Sequence, residues 1–241
     1  MIKYSKTTVF NVDVQTVVNT VNCVGVMGAG LALECKLRFL EMYKDYKKLC
    51  KENRVKTGKP YVYKCDDDFM VMNFPTKNHW KYPSKIEWIE EGLDYFITNY
   101  ERYEISSIAF PKLGSGRGKL DWKNVKPLME NYLKHLDIEV CICLDEEGKA
   151  AGIEKEMVDM LNQMDEEQWM SKLKIRKSIS DNILKALPLH RFYQLQKVKG
   201  VGKQSYESIF KLFYIEAQKG DVVCTDNSKH PQIMTQQPLF A

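Results

Sequence analysis

The sequence predicts an α/β protein: a three-layer α/β/α sandwich around a mixed, largely parallel sheet, then a small all-α region and a polar tail. Three observations carry that prediction. Short apolar runs alternate with longer stretches of helical periodicity over the first two thirds of the 241 residues. Two glycine-rich loops, 25–30 and 114–118, each lead from an apolar run into a helical pattern. Basic helical patterning without intervening strands takes over near residue 165.

Each element follows from its own residues. TVVNTVN (16–22) reads as a buried strand, and LALECKLRFLEMYKDYKKLC (31–50) as one helix. KPYVYKCD and FMVMNFP make two short strands, with the acidic run between them as a turn. Ser84 and Glu87 have capping-box spacing, which predicts a helix over IEWIEEGLDYFITNY. ISSIAFPKL (105–113) is a strand, followed by the loop GSGRGKL. In DWKNVKPLMENYLKHL the residues Trp122, Val125, Met129, Leu133 and Leu136 share one helical face. IEVCICL (138–144) is another buried strand and EKEMVDMLNQM a further helix. The expected division is a domain over 1–164, a helical domain over 165–220, and a flexible tail over 221–241.

Composition narrows the function classes. With 44% hydrophobic residues the chain can bury one full core and a small second one. The opening residues lack the apolar run of a signal peptide, and no stretch approaches the ~20 apolar residues of a membrane span, so a cytoplasmic protein without membrane association is expected. Cysteines at 23, 35, 50, 65, 141, 143 and 224 form no C-x-x-C, and the histidines at 79, 135, 190 and 230 are scattered, so neither a metal nor another cofactor is expected. Cys141 and Cys143 share a strand face as core residues. The net charge of +4 is mild, but between Lys172 and Lys211 the only acids are Asp181 and Glu207. That stretch suits a polyanion, and suits a solvated helix face equally.

The glycine loops point to an anion. Backbone N–H groups at a helix N-terminus, unobstructed by side chains, cradle phosphates, and two such loops at the carboxyl edge of one sheet suit a diphosphate. Gly25, Gly28 and Gly30 form the first loop, and Gly114, Ser115, Gly116, Arg117 and Gly118 the second. Neither matches a P-loop or a dinucleotide fingerprint. Tight turns alone explain one such loop more easily than two.

VVNTVNCVGVMGAGLALECK, paired with a later strand ending in PKLGSGRGKLDW, resembles the macrodomain, an ADP-ribose-binding fold. NFPTKNHW followed by a helix is similar to the DarG-like branch of that family, antitoxins that remove ADP-ribose from thymidine in DNA. The resemblance spans about residues 1–160. It implies an ADP-ribosyl glycohydrolase, with a reader that holds ADP-ribose without turnover, or a hydrolase of protein-linked or acylated ADP-ribose, as alternatives.

By the same resemblance Asn22 would contact the distal ribose. Gly25, Val26, Met27, Gly28 and Gly30 would wrap the diphosphate and that ribose, together with Gly114, Ser115, Gly116, Arg117 and Gly118. Thr8 stands where many macrodomains place an adenine-binding aspartate. Lys77, the lysine of F-P-T-K, would be catalytic, through a Schiff base with the opened sugar or as an electrostatic or general-acid group. Phe74, His79, Trp80 and Lys81 supply a setting that would lower its pKa. Some relatives carry an aspartate in the second loop; Gly118 stands there here, and Asp121 reads as a helix N-cap. ADP-ribose, ADP-ribosylated single-stranded DNA and a DNA ADP-ribosyltransferase toxin are the implied partners.

Further along, VKGVGKQSYESI resembles the helix-hairpin-helix element, which offers hairpin amides to a DNA phosphate. That implies contacts from Lys197, Lys199, Gly200, Gly202 and Lys203; a plain helix–helix turn, or a surface for a protein partner, remains the alternative. The closing residues QQPLFA are similar to peptides that dock on the replication sliding clamp, with Gln236, Leu239 and Phe240 as anchors.

Overall fold

The structure, a computed structural model, describes residues 1–224. By internal contacts the chain divides into a unit over 1–146 and another that begins at Glu147.

The first unit is a six-stranded sheet: β1 (Ile2–Ser5), β2 (Thr16–Asn22), β3 (Tyr61–Lys64), β4 (Met70–Lys77), β5 (Ser107–Pro111) and β6 (Glu139–Cys143). The spatial order is β1-β6-β5-β2-β4-β3, and every pairing is parallel except the β3–β4 hairpin. The helices α1 (Gly30–Arg38), α2 (Leu40–Lys51), α3 (Ile86–Asn99) and α4 (Trp122–Leu133) complete the unit. One core joins Phe74, Phe110 and Ile142 of the sheet to Leu93 and Phe96 of α3 and Met129 and Leu133 of α4. The other joins Val17, Val71 and Cys141 to Cys35 of α1 and Met42, Tyr46 and Leu49 of α2. Strands covered on both faces read as mostly apolar rather than alternating runs, which is why β2 and β4 were legible; the buried Asn19 of β2 donates to Asn73 Oδ1 of β4 at 2.9 Å.

Three local features depart from the expectation. The single helix over 31–50 is two, broken at Phe39, whose backbone (φ −125°, ψ 73°) leaves the helical region. Its ring stacks on Phe69 at 5.5 Å, and that packing outweighs helical continuity. Strand β1 was not anticipated, because its four residues alternate only weakly and sit at the sheet edge. The Ser84–Glu87 capping box does not form: α3 starts after Lys85 without a side-chain cap, and the Ser84 N–H donates instead to Gly118 O at 2.9 Å. Asp121, by contrast, caps α4 as expected, its carboxylate accepting from Lys123 N at 2.9 Å.

The second unit contains α5 (Gly152–Gln163), α6 (Glu166–Leu173), α7 (Lys177–Ala186), a 3-10 helix at Phe192–Lys197 and α8 (Lys203–Cys224). Phe192 lies within 6 Å of the rings of Tyr206, Phe210 and Phe213, and forms the centre of this core. Sequence placed α5 in the first domain, whereas it packs on α8 and the 3-10 helix here. A buried ion pair explains its attachment. Arg191 Nε reaches both Glu154 oxygens at 3.1 and 3.0 Å, and Phe192 N donates to the same carboxylate at 2.9 Å. Among the described residues no helix is long and apolar enough to cross a membrane.

Candidate active site between two glycine loops

Parallel pairing brings the carboxyl ends of β4, β2 and β5 to one edge, where loops can form a cleft. The register places Asn22 opposite Lys77, after an irregularity at Val21/Asn22. Cys23 N then donates to Asn78 O at 3.2 Å, extending the pairing past both strand ends.

Asn22 ties the first loop together. Its Oδ1 accepts from Val24 N (3.0 Å), Val26 N (3.3 Å) and the Tyr46 hydroxyl (3.1 Å), while Nδ2 donates to Val26 O. The Tyr46 hydroxyl also reaches Asn22 O at 2.8 Å, and burial raises its pKa so that it stays a donor. Only one amide hydrogen of Asn22 is left for the ribose contact that the resemblance implies. Gly25 (φ +78°) and Gly30 (φ +57°) occupy the left-handed region, which glycine enters without strain; Gly28 does not. A side chain at Gly30 would meet nothing within 4 Å, so the protein itself leaves that space open. The Met27 side chain is buried against Asn19, which leaves only its backbone to face a ligand.

In the second loop Gly118 is required by close approach. A Cβ there would lie 2.0 Å from Gly114 O and 2.5 Å from Ser84 Oγ. Leu120 N donates to that same Gly114 oxygen at 3.1 Å, and Lys119 N to Gly116 O at 3.2 Å. Gly116 and Arg117 form the exposed tip, Ser115 is half-buried, and Gly114 and Gly118 are enclosed.

Lys77 joins the two loops. It sits at the end of β4 beside Asn22, and its Nζ donates to Arg117 O. Burial holds its pKa below the ordinary lysine value, and the charges of Lys119 and Arg117 lower it further. Sequence attributed like-charge pressure to Lys81; the cations that act are those of the second loop. Such a lysine carries more neutral amine near neutrality than a solvated one, which suits nucleophilic attack on a carbonyl-like carbon.

The remaining candidates are placed as follows. Thr8 caps a 3-10 helix at Val9–Asn11, its hydroxyl accepting from Phe10 N at 3.3 Å. Lys197, Lys199 and Lys203 are exposed around a hairpin in which Gly200 has φ +91° and Val201 N bonds to Val198 O at 3.0 Å. Asn182 Nδ2 steadies that hairpin through Lys199 O at 3.0 Å, and α8 begins immediately after Gly202. The element ahead of it is a 3-10 helix rather than an α-helix. Gln236, Leu239 and Phe240 lie outside the described residues. Sequence reasoning missed Tyr46 and Ser84. Tyr46 looked like one more apolar-face residue of a helix, and the Ser84 capping signal concealed its tie to Gly118.

A parallel sheet whose carboxyl edge carries two glycine loops and a lysine matches the family model of the Macro domain over residues 18–129. The solved macrodomain of Mycobacterium tuberculosis DarG is 41% identical, with a TM-score of 0.57 over 59% of this chain and 97% of that one. The chain belongs to the macrodomain family. Within it, similarity runs to the DarG-like members. A Mycobacterium tuberculosis protein named DNA ADP-ribosyl glycohydrolase is 40% identical over 160 residues, 64% of this chain and 46% of that protein. The solved Thermosipho africanus DarTG in complex with ADP-ribose is 38% identical, with a TM-score of 0.53 over 59% of this chain and 41% of that one. A Thermosipho africanus protein named DNA ADP-ribosyl transferase-DNA ADP-ribosyl glycohydrolase fusion protein is 39% identical over 158 residues, 58% of this chain and 41% of that one. The chain thus spans less than half the length of the curated relatives it matches.

Proposed function

We propose that this protein is a DNA ADP-ribosyl glycohydrolase that holds the ADP-ribose diphosphate between its glycine loops and uses Lys77 on the distal ribose. The observation that carries the reading is the position of Lys77. Strand register sets it beside the first loop, and its amine bonds to the second. The names of the DarG-like relatives support DNA as the carrier of the modification.

The chemistry that fits is imine exchange. The C1″–O4″ bond of the distal ribose opens with a proton to O4″, and the neutral Lys77 amine adds at C1″. The bond from C1″ to the thymine nitrogen then breaks, with a proton returning to the base. One water hydrolyses the resulting lysine iminium, releasing ADP-ribose and restoring the amine. Segments 22–33, 77–86 and 112–120 carry no Asp or Glu, so no carboxylate there serves as the acid or base, and we assign the proton transfers to Lys77 and water. In the electrostatic variant the ammonium stabilises the departing base without a covalent step.

The exposed hairpin lysines Lys197, Lys199 and Lys203 would add a sequence-blind grip on phosphates. A DNA ADP-ribosyltransferase partner is supported by the named fusion in Thermosipho africanus. The test is release of ADP-ribose from an ADP-ribosylated single-stranded oligonucleotide by the native chain and by Lys77→Ala. Release by the native chain, lost in the variant while ADP-ribose still binds, is expected. Binding without release by either would make the chain a reader. Borohydride trapping of a protein–sugar adduct separates the covalent route from the electrostatic one.

A further inference from the structure

Immediately after Lys77 the chain makes a tight turn that the catalytic reading does not use. Tyr82 N donates to His79 O at 3.2 Å, and Lys81 N to His79 Nδ1 at 3.2 Å. Around this turn the rings gather. His79 stacks with Trp80 (centroids 5.5 Å, 28° between planes) and lies 5.6 Å from Tyr82, while Lys81 Nζ stands 5.3 Å from the Trp80 ring centroid. Two large rings are left in solvent, Trp80 at 49% and Tyr82 at 65% exposure. An exposed Trp–Tyr pair on a turn adds little to folding, because about half of Trp80 and about two thirds of Tyr82 stay in water.

The turn is also held in place at both ends. Asn78 O accepts from Cys23 N of the first glycine loop, and Ser84 N donates to Gly118 O of the second. The aromatic turn therefore stands at the rim of the cleft that the two loops bound. Charge along the segments that bound the cleft is mostly of one sign. The segments 22–33, 77–86 and 112–120 contain Lys77, Lys81, Lys85, Lys112, Arg117 and Lys119 and no acidic residue, and of these cations Lys112 is paired with Glu146 at 3.2 Å. Aromatic faces set among cations, on a rigid turn beside a reactive site, fit a polyanion whose repeating units are flat rings.

We propose that the 78–82 turn is a base-stacking platform, on which Trp80 and Tyr82 hold nucleobases flanking the ADP-ribosylated nucleotide in single-stranded DNA. This rests on the DNA reading above and adds to it a second, sequence-tolerant binding surface on the macrodomain. Every base has a π-face, so the platform accepts any flanking sequence and would select strand over mononucleotide.

The experiment compares kcat/KM on an ADP-ribosylated oligonucleotide of about ten residues with kcat/KM on ADP-ribosylated thymidine. It also follows anisotropy of an unmodified single-stranded oligonucleotide of the same length. Tyr82→Ala is expected to lower oligonucleotide turnover and affinity by about 5- to 150-fold, the range for one stacked base, and to leave the mononucleotide unaffected; Trp80→Ala is expected to lower oligonucleotide affinity by a similar factor. Trp80→Phe should recover most of the loss and Trp80→Leu little, since leucine restores apolar area without a π-face. Equal loss on both substrates in Tyr82→Ala, or unchanged oligonucleotide turnover and binding in Trp80→Ala and Tyr82→Ala, would overturn the platform; the unchanged case leaves a protein as the occupant of these rings. The two readings fail separately. A native chain that releases ADP-ribose from neither substrate removes the hydrolase, while oligonucleotide affinity that still depends on Trp80 upholds the stacking surface.

Discussion

Gly118→Ala tests the architecture of the second loop. A Cβ at 118 would stand 2.0 Å from Gly114 O, and ordinary contact begins near 3.4 Å, so the loop must open by about 1.4 Å. The oxygen that has to move already accepts from Leu120 N at 3.1 Å, and Gly118 O is tied to Ser84 N at 2.9 Å. Opening by that amount breaks the first bond and strains the second. Each is worth about 0.5–1.5 kcal/mol net, so the loss is about 1–3 kcal/mol, which is also the usual cost of overpacking. For a chain of this size that lowers Tm by about 2–12 °C. Gly116→Ala is the control, because a Cβ there meets nothing within 4 Å and the backbone needs no left-handed conformation. Its Tm should stay within about 1 °C of the parent, as expected of a surface substitution. Arg117 O, the acceptor of the Lys77 amine, precedes Gly118 directly, so calorimetric titration of Gly118→Ala with ADP-ribose should also show weakened binding. Equal melting temperatures for the two variants would refute the close-approach account.

Two further outcomes follow from the same site and from the second unit. Because the fold lowers the pKa of Lys77, neutral amine accumulates below lysine's ordinary 10.5; a nucleophilic Lys77 makes kcat rise with pH to a plateau, whereas an active ammonium makes it fall through the same inflection. Lys119→Gln removes one of the charges that depress that pKa, so the inflection should move upward in either case, and an inflection that stays put would clear Lys119 of this role. In the second unit, replacing Lys197, Lys199 and Lys203 together by Gln should reduce the slope of log affinity against log salt for single-stranded DNA by about 2, at about 0.7 per phosphate contact. An unchanged slope would take the hairpin out of DNA binding.

Much of this molecule was legible in one dimension. The runs TVVNTVN, FMVMNFP and IEVCICL announced buried parallel strands because a strand covered on both faces is apolar on both rather than alternating, and the buried Asn19 and Asn73 that interrupt two of them hydrogen-bond to each other. The two glycine loops at the carboxyl edge of the sheet were legible because left-handed turns and tight backbone approaches leave little choice but glycine, as Gly25 and Gly118 show. F-P-T-K then singled out Lys77 through its family pattern. Long-range partners were not legible. The helix break at Phe39 depends on a ring from Phe69, Ser84 abandons its local cap for Gly118, and α5 joins the second unit through Arg191.

What the sequence determined by itself was most of the order of strands and helices and the glycine edge, since each is written in local periodicity or in a residue type that the backbone demands; the lysine it marked only through its resemblance to a family. Only the tertiary structure decided what acts on that lysine. Its carbonyl acceptor and its two depressing cations come from a loop some forty positions away in sequence, brought beside β4 by strand pairing. Electrostatic and hydrogen-bond energies depend on separation in space, and separation along the chain carries little information about it.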